Sequence, residues 1–372
     1  MHGKPLVLFL SLCLSSLPVW AQVEVERPYW FVLERGKQHF RNGDYGRALI
    51  AFEDARNQRR AMYTRMEQDM IAVLSIAEVR RLGDALDLVE KYIAERGRID
   101  AARALEELYY RVPRESLENS ALRTLEEFDR LKAYPEAEYW IGETYRTEGE
   151  PGIALRQFRK AYEQRSFLET PGFDTDILYK IADIHRIRQE YTLMERNLLE
   201  ILTKDSLWSQ DSSTFVRSAM TRTVENDGID RFLTLYRYDN PVTLRAHRLL
   251  GFYYSSSGRH SRAVEHLMFA FLIQNSIFID DIIRSQYDYT FTTLNNLLDE
   301  VMRRPALASY FEGTEYYKTL YYLGTSFFGS GKLNAARYFW TACAGRQDAG
   351  EWRARSQAQL RSPFIEPAVE LP

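Results

Sequence analysis

Cysteine is almost absent. The 372-residue chain has two, Cys13 and Cys343. Cys13 falls in a stretch that reads as a leader, so the mature chain has no pair from which to close an intramolecular disulfide, and packing must hold the fold. Long apolar runs are missing too: beyond residue 21 nothing reaches the ~18 uninterrupted apolar residues of a membrane-spanning helix. Charge of one sign is not concentrated anywhere. The formal net charge is −3 without a block of like charges, which gives no basis for a nucleic-acid partner. The common nucleophile, phosphate-loop and zinc-protease motifs are lacking. Asp280-Asp281 and Glu106-Glu107 are carboxylate pairs at adjacent helical positions, which do not face one cleft. His260 and His266, six residues apart, fall on different faces of one helix, unlike the i,i+4 spacing of a helical zinc site. The expectation is therefore no metal, no cofactor and no enzyme.

What is present begins with the leader. Lys4 precedes an apolar stretch over residues 6–17, and Val19-Trp20-Ala21 ends it with a signal-peptidase pattern. Cleavage after Ala21 predicts an exported, periplasmic or envelope-associated protein starting at Gln22, with net charge −4. A rival reading makes Cys13 a lipid-attachment site, but Leu12 is bulky where that box wants a small residue. Hydrophobic residues make up 45% and charged residues 27%, a globular balance.

The chain is organised around residues 139–162, YWIGETYRTEGEPGIALRQFRKAY, two short helices folded about a turn at Gly149-Glu150-Pro151-Gly152. Gly142 and Tyr145 share a face of the first helix; Ala154, Phe158 and Ala161 recur at i, i+4 and i+7 on the second. A small residue on one helix meets a large one on the other. In phase with Gly142, the pattern recurs as Gly36, Phe40, Ala48, Phe52 and Ala55. It recurs again as Gly251, Tyr254, Gly258, Ala263, Leu267 and Ala270, and as Gly324, Phe327, Gly331, Ala336, Trp340 and Cys343. A weaker copy has Ala182, His185, Tyr191, Met194, Leu198 and Ile201, with His185 and Cys343 as core residues. Five copies in phase exceed coincidence.

These residues resemble the tetratricopeptide repeat, a helix-turn-helix unit of ~34 residues. Ala182 to Gly251 is 69 residues and Gly251 to Gly324 is 73, each about two repeats; Gly36 to Gly142, at 106, is about three. The resemblance thus implies an all-α, right-handed solenoid of about nine helix pairs, in which neighbours bury stripes that no single hairpin can. The expected organisation is a signal peptide (1–21), N-terminal repeats (22–134), central repeats (135–205), C-terminal repeats with a capping helix (206–361), and an extended tail (362–372). Individual expectations include helices over 45–57, 60–95 broken at Gly83, 98–111, 115–132 and 279–303, the last stopped by Pro305, and a turn at Asn226-Asp227-Gly228.

Members of that family bind partners on a concave face lined by first helices. The resemblance places residues three before, one after and four after each anchor in this groove. They are Tyr139, Glu143 and Arg146, then Tyr179, Asp183 and Arg186, an aromatic-acid-base triplet twice over. Farther along are Arg248, Phe252, Tyr321 and Phe328; near the start, Lys37 and Phe40. The triplet's recurrence on a face expected to be exposed marks it as the partner site, since aromatics and arginine are hot-spot residues. The family's two-carboxylate clamp of Lys and Asn is absent. The resulting expectation is an envelope scaffold or adaptor for a protein or peptide. Two alternatives are a small-ligand binder serving a transporter, which needs a closed apolar pocket, and an envelope glycan-cleaving enzyme, for which Glu115-Ser116 lacks the usual surroundings.

Overall fold

The computed structural model describes residues 28–75, 132–209 and 213–366. All regular structure there is helical, fifteen helices and no strand. The leader, Cys13, the helices expected within 76–131 and the acidic pair Glu106-Glu107 lie outside the described residues.

The chain forms two compact units, divided after Ala133. In the first, α1 (Tyr29–Arg41) folds back on α2 (Tyr45–Ser75). The expected break near residue 57 does not occur. No proline or glycine interrupts residues 47–75, so nothing stops the helix.

The second unit contains α3 (Pro135–Thr147), α4 (Pro151–Glu163), α5 (Phe173–Ile187), α6 (Tyr191–Leu202) and the short α7 (Ser206–Ser209). Next come α8 (Ser213–Leu235), α9 (Pro241–Ser256) and α10 (His260–Ser285). It ends with α11 (Leu294–Met302), α12 (Pro305–Gly313), α13 (Tyr316–Gly329), α14 (Leu333–Ala344) and α15 (Glu351–Arg361). The prolines at 135, 151, 241 and 305 all open helices, where a missing N–H costs nothing. Pro305 therefore starts α12 and does not end a long helix. The single helix expected over 279–303 is instead the end of α10, an irregular link, and α11, whose N-terminus Thr293 caps through Oγ1. The turn expected at Gly228 is present as a kink with φ 82° that divides α8.

The small-to-large code is physical. A Cβ built on Gly142 would stand 2.9 Å from Phe158 Cε1; on Gly36, 2.6 Å from Phe52; on Gly251, 2.5 Å from Leu267; on Gly324, 2.7 Å from Trp340. Each clash partner lies sixteen residues on, at the same offset. Ala48, Ala154, Ala263 and Ala336 at the next position, and Ala55, Ala161, Ala270 and Cys343 at the last, are fully buried. Small residues let two helices approach until the large one fills the gap between them. Each hairpin then packs on the next: α4 on α5, α6 on α9, α10 on α13, α14 on α15.

The two described stretches without the code, between α6 and α9 and between α10 and α13, also fold as helices. α8 fills the first gap and α11 with α12 the second, and their apolar faces join the core that α10 and α13 organise. α10 is long and apolar enough to cross a membrane by length and composition, yet 78% of its apolar window is buried by its neighbours.

Candidate functional site

The positions taken as groove-facing do a different job. Tyr139 and Tyr179 are each 7% exposed and Glu143 5%. The Tyr139 ring packs 4.6 Å from Phe173 at the start of the next first helix, and Glu143 takes hydrogen bonds from Arg146 (2.9 Å) and from Lys180 of α5 (2.8 Å). Tyr179 donates its hydroxyl proton to the Val242 carbonyl (2.6 Å) and accepts from the Ala246 N–H (3.1 Å), while Asp183 holds Arg245 at 2.7 Å. One hairpin farther, Arg248 reaches Glu315 at 2.5 Å and the buried Phe252 meets Tyr322 edge-on, with Lys318 over its ring. Arg146 and Arg186 stay partly exposed beside these contacts. The triplets rivet each first helix to the next. This corrects the expectation that Tyr139, Glu143 and Tyr179 are exposed, and it supplies the packing reason for the recurrence.

The series ends at α13, which has no further hairpin among the described residues. Tyr321 is buried there. Its hydroxyl donates to Glu366 of the segment after α15, and Gln359 donates to the Tyr321 oxygen at 3.2 Å. Phe328 is half-buried against Trp340.

Beside Tyr321 opens the principal candidate site, a groove of about 850 Å³ between α12, α13 and the start of α15. Its aromatic lining is Phe311, Tyr316, Tyr317, Tyr322 and Trp352; its charges are Glu312, Glu315, Asp348, Glu351, Lys318 and Arg355. Glu315 is held in the left-handed region (φ 48°), a strained place for a residue with a Cβ, and binds both Arg248 and Lys318 (3.1 Å). Arg355 lies over Trp352 (4.6 Å), Tyr321 (4.9 Å) and Tyr322 (5.7 Å), a cation on three aromatic faces. Tyr317 donates to Asp348 at 2.7 Å; burial, then that bond, pushes its phenol far up. Burial works against an ionised Asp348, but Arg346 and Tyr317 outweigh it and keep the carboxyl low. Phe311, Tyr316, Tyr317 and Tyr322 are themselves buried, so the groove offers the half-buried Trp352 and Arg355 over a packed aromatic floor, with the carboxylates of Glu312 and Glu351 exposed at its rim. Sequence reading missed it because its residues lie at the end of the array, outside the repeated positions. The tyrosine-rich start of α13 and Trp352 were the available signal.

A second cluster was also missed. Asp205, fully buried, accepts from the Leu207 and Trp208 N–H groups (3.0 Å each), from Thr243 Oγ1 (3.0 Å) and from the Tyr238 hydroxyl. Burial alone would raise its carboxyl; the facing His247 ring, Tyr238 and Trp208 overcome that and hold it at about 2. His247 Nε2 stands 3.9 Å from Asp205, and its Nδ1 is 3.1 Å from Nδ1 of His266, which packs against Trp208. Burial lowers both imidazoles, so the pair is neutral, with one Nδ1 carrying the shared proton. His185 is buried as expected and contacts Glu190 at 2.5 Å.

No family model matches the chain. A protein of Treponema pallidum (strain Nichols), described only as uncharacterized, is 24% identical over 333 residues, covering 89% of each chain. Another of that description, from Borreliella burgdorferi (strain ATCC 35210 / DSM 4680 / CIP 102532 / B31), is 23% identical over 211 residues. The match covers 52% of this chain and 65% of that one. The similarity to the first runs along nearly the whole chain.

Proposed function

We propose that this protein is an exported, tetratricopeptide-like helical array that recruits a partner protein of the cell envelope through the groove at its C-terminal end. It acts by binding and not by catalysis. The observation that carries this reading is the contrast between hairpins. The first helices α3, α5 and α9 are covered by the hairpin that follows each, whereas the start of α13, through Tyr316, Tyr317, Lys318 and Tyr322, borders a groove of about 850 Å³. The half-buried Trp352, held on a packed aromatic floor, can desolvate a partner's side chain at small entropic cost, and exposed Glu312 and Glu351 favour a partner with basic residues at its edge.

Charge reversal at the rim tests this. Glu312→Arg with Glu351→Arg alters two exposed side chains, so the melting temperature stays within a few degrees while crosslinking from the native envelope loses the partner recovered with the wild type. Equal recovery of that partner by the folded variant would contradict the reading.

A further inference from the structure

Residues 362–366 cross α13 and α15 in an extended path, held almost entirely by polar contacts. The side-chain amide of Gln359, itself fully buried, donates to the Phe364 carbonyl (3.1 Å) and accepts from the Phe364 N–H (2.9 Å). Two residues on, the Glu366 carboxylate binds Arg355 (2.6 Å) and the Tyr321 hydroxyl. The strap's apolar side chains contribute little: Phe364 is 47% exposed and Ile365 54%. Such grips read a backbone and one carboxylate, not the identity of the intervening side chains. The gripping groups are also built without the strap, since Arg355 is stacked on Tyr321, Tyr322 and Trp352, and Gln359 is bonded to Tyr321.

We propose that Gln359, Arg355 and Tyr321 form a binding site for an extended peptide segment whose glutamate follows the gripped residue by two, and that the chain's own residues 362–366 fill it until a partner's segment replaces them. This rests on the adaptor reading and names the chemistry of what the partner inserts. Location supports exchange. Tyr321 stands where Tyr139 and Tyr179 meet the next hairpin, but its cover is α15, through Trp352, Arg355 and Gln359, completed by a strap with exposed apolar side chains. Tyr322, Trp352 and Arg355 are shared with the large groove, so a segment entering the strap site continues into it. A tethered competitor acts at millimolar effective concentration, enough to keep out weak segments and to yield to one that adds groove contacts.

The test uses the full chain and a fluorescein-labelled peptide, RSPFIEP, followed by anisotropy. Glu366→Ala removes the strap's carboxylate and leaves the site intact, so the peptide binds this variant at least tenfold more tightly than the wild type. A peptide with Gln in place of Glu loses at least tenfold, and adding Arg355→Ala abolishes binding. Phe364→Pro, which deletes the N–H that Gln359 accepts from, releases the strap independently and carries the test should Glu366→Ala fail to fold. Equal affinity for wild type and released variants, or no binding to a folded released variant, overturns the proposal. If the partner still crosslinks at the groove rim in that event, the strap inference alone has failed. If the peptide binds but rim reversal leaves partner recovery unchanged, the adaptor reading has failed.

Discussion

Gln189 sits at φ 58°, where its counterparts in the clearer copies, Gly43, Gly149, Gly258 and Gly331, take φ 72–86°. The same helix-ending bonds form around it: its N–H donates to Arg186 and the next N–H to His185, as Gly149 and Glu150 donate to Arg146 and Tyr145. A side chain in this region costs about 1–2 kcal/mol, so Gln189→Gly stabilises the protein by about 0.5 kcal/mol after the unfolded chain's added entropy, about 0.4–1 kcal/mol, is counted. Urea unfolding reads the change, and a destabilised variant would contradict the strain argument. Tyr179→Phe removes one hydrogen bond to the Ala246 N–H and one to the Val242 carbonyl, which stay paired with each other as i+4 and i of α9. Its cost is about 0.5–1.5 kcal/mol, measurable in the same way; a neutral substitution would show that the intrahelical bond alone satisfies both groups.

Among elements, the hairpins were legible because their code is local. Gly142 and Phe158 are sixteen residues apart, and a glycine facing a large side chain states which faces meet. The riveting residues were misread because their environment is set at long range: Glu143 meets Lys180, 37 residues on, and Tyr179 meets Ala246, 67 on. Spacing puts them on a shared face but does not say whether another helix covers it. The irregular link before α11 was missed because residues 286–293 contain neither proline nor glycine. Gly142→Leu drives a side chain into Phe158, and overpacking costs about 1–3 kcal/mol. Urea unfolding should show that loss, whereas Gly152→Leu, with open space around its Cβ position, should show less. Similar losses at both sites would mean that the close approach is not what selects glycine.

Across the whole molecule, stability should depend on pH through the buried Asp205, His247 and His266 cluster. Both imidazoles are pushed below the ordinary 6.5 by burial, with Arg217 near each and Arg262 also near His266 opposing their charge. The unfolded chain therefore binds protons that the folded chain refuses once pH drops below about 6.5. Stability is full above that value and falls by up to about 2 kcal/mol per histidine at pH 5. A second loss follows below pH 3.8 as the lowered Asp205 carboxyl approaches protonation near 2. His266→Phe keeps the ring volume and shrinks the first loss; an unchanged slope between pH 7 and 5 would place that loss elsewhere.

The central claim, that partners dock at the C-terminal groove and not along the preceding hairpins, is tested most directly by a photo-crosslinking scan in the native envelope. A benzoylphenylalanine placed at Glu312, Glu351, Arg156 or Ile187 samples two groove-rim sites and two exposed sites on α4 and α5. The account predicts one shared adduct from positions 312 and 351 that is absent from 156 and 187. An adduct confined to 156 and 187, or the same adduct from all four, would contradict it.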